Sequence, residues 1–240
     1  MLKSVVREAN LTQRAQTELE EMIVNGSLLA GERLPSELEM VEQLGVSKTV
    51  VREAMRSLAT KGLIEVRPGS GMYVLGVGAH LMAEPLSLLM RKHRLTVEQI
   101  HQVRAVLEIQ IAALAAEHAQ KEDIEAMAET IRQLEEPDLS PLRYAELDLE
   151  FHNRLAVAGG NPLFSILINS INDVMLEVRQ QAFKLGKQKF VTDSISEHSR
   201  VLKCVEAGDV KGAQKVMAEH LERSRARLTQ AENLRGKARS

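Results

Sequence analysis

Residues 31–74 read GERLPSELEMVEQLGVSKTVVREAMRSLATKGLIEVRPGSGMYV, and the changes of rhythm along this stretch decide the fold. Ser36 can cap a short helix that Gly45 ends, and Ser47 can cap a second helix directly after it. Two helices joined by about three residues with a glycine in the turn make a helix-turn-helix. After Gly62 the apolar period drops from helical to alternating, through Ile64, Val66, Met72 and Val74, with Pro68, Gly69, Ser70 and Gly71 between. That pattern predicts a two-stranded hairpin, a wing.

Upstream, Leu11, Ala15, Leu19, Met22 and Ile23 recur at helical spacing until Gly26, which predicts a first helix over 11–25. Downstream, Gly76, Val77 and Gly78 break the pattern, and from about Pro85 everything reads as helix: 96–120, 121–134, 140–158, 162–185, 193–207 and 209–235. The breaks fall at Glu136-Pro137, Gly159 to Pro162 and Ala207 to Asp209, because Pro and Gly continue a helix only at a cost. The fold class predicted is mainly α. A winged helix-turn-helix occupies 1–75, a linker 76–84, an all-α bundle 85–235 and a tail 236–240.

Composition agrees with this division. A chain of 240 residues favours two domains, and 2% aromatics with no Trp favours helix packing over sheets. The start, MLKSVVREAN, has charges in every short apolar stretch and so no secretory h-region, and no apolar run approaches the roughly 18 residues of a membrane span. Cys204 is the only cysteine, which suits a reducing compartment. The expected location is the cytoplasm, with no membrane partner. Cys204 itself is expected to be a buried or half-buried thiol, and His80, His93, His101 and His118 to be surface or structural.

The net charge of −2 gives no overall sign of nucleic-acid binding, but the distribution does. Between Lys48 and Arg67, five positive side chains stand against Glu53 and Glu65, a local excess of +3. In the second helix of the pair Val51, Ala54, Met55 and Leu58 form the inward stripe. Lys48, Thr49, Arg52 and Arg56 are left on the outer side, with groups suited to guanine edges, thymine methyls and phosphates.

The helical half carries a second constellation. Asp148 and His152 stand at i and i+4 on a face shared with Leu142, Ala145 and Leu155. His198 lies on the stripe of Ile195, Leu202 and Val205, and His220 on that of Ala213, Met217 and Ser224. The turn at Gly208-Asp209 is nearly midway between them, so in an antiparallel hairpin they stand level. A lone inward His is more often a hydrogen-bonded core residue. Three with an Asp at matching heights make a nitrogen and oxygen set for a divalent metal, zinc first, with nickel, manganese or iron as alternatives. Arg104 reads by its spacing as an exposed i, i+4 ion pair with Glu108.

The segments GERLPSE and GVSKTVVREAMRSLATKGLIEVRPGSGMYV, followed by a helical domain, resemble the GntR family of regulators in its FadR-type subgroup with an FCD effector domain. The resemblance implies that Lys48, Thr49 and Arg52 contact DNA and that Gly71 at the wing tip approaches the minor groove. It implies that Asp148, His152, His198 and His220, in the contexts DLEFH, EH and AEHL, hold the metal, and that Arg104, in QVRAVLE, pairs with an effector carboxylate. Two departures bear on the operator: Lys48 stands where the family usually has Arg and cannot make a bidentate fork, and Leu38 stands where many relatives have Arg. The function expected is a non-enzymatic transcription regulator, a repressor, acting as a homodimer on double-stranded operator DNA and answering a small organic acid. A metal sensor and a metal-dependent hydrolase are the alternatives.

Overall fold

A computed structural model describes the backbone of residues 5–78 and 80–239 and the side chains of 11–78, 80–172, 174–180, 182–184 and 191–230. The chain divides into two compact units, Met1–Leu81 and Met82–Ser240.

The first unit holds α1 (Val5–Val24), α2 (Glu37–Leu44), α3 (Lys48–Thr60), β1 (Ile64–Arg67) and β2 (Gly71–Val74). Helix α2 starts in a capping box, in which the Ser36 hydroxyl accepts from Glu39 N and the Glu39 carboxylate accepts from Ser36 N at 2.7 Å. It stops at Gly45, whose φ of +62° is the left-handed conformation that a β-carbon would oppose. Ser47 then caps α3. Val51 and Leu58 are fully buried along one side of α3, against Leu19 and Ile23 of α1 and Ile64 and Val74 of the wing. Each such aliphatic side chain contributes about 2 kcal/mol by leaving water. β1 and β2 are antiparallel, Ile64 opposite Val74 and Arg67 opposite Gly71. Residues 31–34 run beside β2: Leu34 N donates to Met72 O at 2.9 Å, and Arg33 bridges to Tyr73.

The second unit contains most of α4 (His80–His93), then α5 (Val97–His118), α6 (Lys121–Leu134), α7 (Pro141–Ala158), α8 (Pro162–Glu206) and α9 (Val210–Arg239). Thr96, Ser140 and Asn161 cap α5, α7 and α8. Its core centres on Phe151, Ile168, Val201 and Met217, each fully buried. Among the described residues no helix is long and apolar enough to cross a membrane.

Three features differ from the sequence reading. Helix α4 starts at His80, so the second half of the linker expected at 76–84 is helical. Leu142, expected on the inward face of α7, is exposed, standing in the first turn of a helix that begins at Pro141. Residues 162–206 are helical throughout, where two helices were expected. Yet α8 cannot be straight. Arg179 and His198 both reach Asp148, and nineteen residues of straight helix would set them about 28 Å apart. The axis bends back between them.

Candidate metal centre and DNA-facing helix

Lys48, Thr49, Arg52 and Arg56 are exposed on α3, opposite its buried stripe. Arg52 is already engaged, its Nη2 donating to Glu37 Oε2 at 3.2 Å, with Lys48 Nζ 3.8 Å from the same oxygen. The hydrogen bond from Arg52 holds the Glu37 carboxyl below its usual range. Gly71 stands at the base of β2 with φ +117°, and a β-carbon there would come within 3.0 Å of Arg33 Nε. Arg33, which the sequence reading passed over, therefore lies against the wing glycine. Leu38 is 66% exposed on α2.

In the helical unit the three expected histidines come together. His152 on α7, His198 on α8 and His220 on α9 are all buried, and one ring nitrogen from each lies within 4.8 Å of the others. Their ring centroids are 5.0 to 5.3 Å apart, and Phe151 stacks on His198 at 4.1 Å. Asp148 joins from one side, with Oδ1 3.7 Å from His198 Nε2, while its Oδ2 is held by Arg179 of α8.

Two of the rings are fixed from behind. His152 Nδ1 meets Glu108 Oε2 at 2.5 Å, and His220 Nδ1 meets Glu197 Oε2 at 2.8 Å. An ionised carboxylate only accepts, so each Nδ1 carries the hydrogen and each ring turns its Nε2 away from its carboxylate. Those Nε2 atoms face each other at 3.3 Å. Ligands about 2.0–2.1 Å from one tetrahedral ion stand about 3.3 Å apart, the same spacing. Burial pushes the His220 imidazole down to about 4 against the opposing hydrogen bond of Glu197, and burial together with neighbouring positive charges pushes the His198 imidazole well below its usual range. At neutral pH both are in the unprotonated form that ligates. The donor set fits a divalent metal ion.

Arg104 is on α5 and wholly buried. Its pair with Glu108 is present, Nε donating to Oε1 at 2.5 Å, but it is not the exposed pair that the sequence allowed. Both terminal nitrogens, Nη1 and Nη2, lack a hydrogen-bond partner among the described residues. Burial pushes the Glu108 carboxyl up, but Arg104 and His152 outweigh it and hold the group below its usual range. His101, one turn before Arg104, is buried with both ring nitrogens unpartnered among the described residues, the structural rather than the surface side of its sequence reading. Burial first, then Arg104 and Arg179, push it down to about 2. His101, Arg104 and Glu108 follow the i, i+3, i+7 spacing of one helix face, a signal that the sequence did contain. Nothing in the sequence marked Arg179 or Glu197. Cys204 is half-buried, and burial raises its thiol.

Comparison with known proteins agrees with both halves. Residues 11–74 match the model of bacterial regulatory proteins of the gntR family, and 99–223 match the FCD domain. The chain is 33% identical to the HTH-type transcriptional regulator LutR of Bacillus subtilis (strain 168), over 83% of this chain and 93% of that one. It is 26% identical to the HTH-type transcriptional repressor NanR of Escherichia coli (strain K12), over 88% and 81%. A solved structure described as Streptococcus agalactiae GntR superposes with a TM-score of 0.71 at 27% identity, covering 90% of this chain and 99% of that one. With a winged helix-turn-helix at one end and an FCD domain at the other, the chain belongs to the GntR family of DNA-binding transcription regulators and is not an enzyme.

Proposed function

We propose that the protein is a cytoplasmic repressor whose dimer holds a palindromic operator and releases it when a small organic acid enters the helical unit beside a bound divalent metal. Lys48, Thr49 and Arg52 read the operator from α3, and Gly71 brings the wing backbone close to the minor groove. His152, His198 and His220, with Asp148, hold the metal. Zinc suits three imidazoles and a carboxylate best. Bound there, the ion would supply positive charge, with a position for the acid where it takes five or six ligands, and Arg104 supplies the guanidinium that fixes the carboxylate of the acid. One observation carries this reading: three buried histidines offer ring nitrogens within 4.8 Å of one another, two of them Nε2 atoms 3.3 Å apart, and the carboxylate behind His152 also holds an arginine with two buried, unpartnered nitrogens. A buried donor left unmade costs about 1–3 kcal/mol, so an acceptor is expected there. NanR, a relative, is itself named a repressor.

The test is elemental analysis of protein expressed with zinc, nickel and manganese supplied. About one metal per chain is expected, and His152→Ala or His220→Ala should lose most of it and lower the melting temperature, since a ligand of the folded state stabilises it. No stoichiometric metal under any of these conditions would remove the site. For Arg104 the informative variant is Arg104→Lys. Alanine would strip the buried Glu108 of its partner and disturb His152 through it, whereas lysine keeps the charge and loses only the fork. Operator release by the acid should be lost in Arg104→Lys, with metal content retained.

A further inference from the structure

The outer face of the wing carries two guanidiniums with Gly71 between them. Arg67 stands opposite Gly71 in the β1–β2 register, and Arg33 pairs with Tyr73 from the other side of β2. Paired residues and alternate residues of a strand share a face, so both arginines stand on the face of Tyr73. The two differ in what they hold. Arg67 Nε donates to Glu65 Oε1 at 2.6 Å, and its guanidinium lies 4.2 Å from the centre of the Tyr73 ring. Arg33 is exposed and has no hydrogen bond or ion pair among the described residues.

The Arg33 side chain is nevertheless placed. It crosses the wing glycine so closely that a β-carbon at position 71 would stand 3.0 Å from its Nε and 3.4 Å from its Nη2. Any other residue there would push the guanidinium off this path, besides being strained at φ +117°. Arg33 also lines an open groove of about 640 Å³ between the wing and the start of α2, with Ser36, Glu37, Glu39 and Gly71. Glu37 is bound by Arg52 of α3, so the groove adjoins the exposed basic side of that helix. Both carboxylates on its wall are engaged, Glu37 by Arg52 and Glu39 by Ser36 N. Among the described residues of the groove, Arg33 is the cation with donors still to give.

With α3 in the major groove and the wing at the neighbouring minor groove, one sugar-phosphate strand must pass between them. Resting on α3 as the helix that faces the operator, we infer that Arg33 is a DNA contact, that its guanidinium takes a backbone phosphate of that strand, and that position 71 is glycine because the arginine crosses it. A planar fork suits the two oxygens of a phosphodiester. A side chain already laid along a strand needs less ordering when it binds. Such a contact adds affinity and fixes register without reading sequence. The wing backbone still comes near the minor groove, but the missing β-carbon serves the arginine.

The test uses the full chain, a duplex that the wild type selects from a random pool and a shuffled duplex of the same length, titrated by fluorescence anisotropy between about 50 and 200 mM salt. Arg33→Gln should weaken both duplexes by the same factor, threefold or more, and lower the slope of log affinity against log salt by about 0.9 for each chain bound. Arg33→Lys keeps the charge and should keep the slope. Gly71→Ala should lose affinity in the otherwise wild-type chain and add less than a twofold loss to Arg33→Gln, with melting curves showing that each variant is folded when titrated. The inference is overturned if Arg33→Gln leaves the slope unchanged, or if its loss falls on the selected duplex alone, which is the mark of a base contact. It also falls if Gly71→Ala costs as much with Arg33→Gln as without it, for then the glycine serves the DNA or the wing itself. Failure of the α3 reading is distinct: Arg52→Ala would then keep the wild-type preference for the selected duplex.

Discussion

Arg52 is the side chain on which operator recognition is expected to turn, and in the free protein it is occupied by Glu37. DNA must take it over. A guanidinium with good geometry on a base edge discriminates by about 1–3 kcal/mol, so Arg52→Ala should weaken operator binding tenfold or more in a mobility-shift titration. Glu39 stands two residues from Glu37, yet its carboxylate closes the capping box of α2. Glu39→Ala should therefore lower stability by about 1 kcal/mol and leave operator affinity nearly unchanged in a buffer where the protein is folded. Equal losses of affinity in both variants would sink the assignment of Arg52 to DNA. The same distinction separates the two halves of the α3 surface: the exposed basic groups were legible from their spacing, but which carboxylate they pair with was not. That depends on how α2 crosses α3, which no local pattern encodes.

At the level of elements, α5 and α8 show where sequence reading succeeds and where it stops. The stripe of His101, Arg104 and Glu108 is a matter of helical period alone, and only its burial had to come from the structure. The three histidines were placed by period and by the turn at Gly208, both of which are local. Arg179 was out of reach, because what returns it to Asp148 is the bend of α8, and the position of a bend is set by what the helix packs against. His101 gives α5 a measurable signature. Its imidazole titrates near 6.5 when unfolded and near 2 when folded, so below pH 6.5 the unfolded chain takes a proton that the folded chain refuses. Stability is then present above that pH and falls as the pH drops, by about 1.4 kcal/mol per unit for this one group. That slope is reached only well below pH 6.5, so denaturation of chelator-treated protein at pH 7, 6 and 5.5 should show a fall to which His101 contributes about 1.2 kcal/mol in all, and His101→Gln should remove that share. An unchanged slope in the variant would mean that His101 is solvated.

For the whole molecule, a single α3 reads too few base pairs to be specific, and two must be held about one DNA turn apart, roughly 34 Å. Light scattering is expected to give twice the chain mass at micromolar concentration, and a monomer both free and on DNA would contradict the dimer. Operator affinity should fall steeply and linearly on a logarithmic salt scale as phosphate contacts release counterions. The second unit is where one atom-level feature governs behaviour on the largest scale. Glu108 gives one oxygen to Arg104 and the other to His152, and a rigid carboxylate cannot turn toward one without turning from the other. What Arg104 binds and what His152 binds are then obliged to be reciprocal: the factor by which an acid alters zinc affinity must equal the factor by which zinc alters acid affinity. Titrating each with and without the other closes a four-cornered cycle. A factor different from one, lost in Glu108→Gln, would make this single side chain the ledger in which nutrient and metal supply are compared before the operator is released.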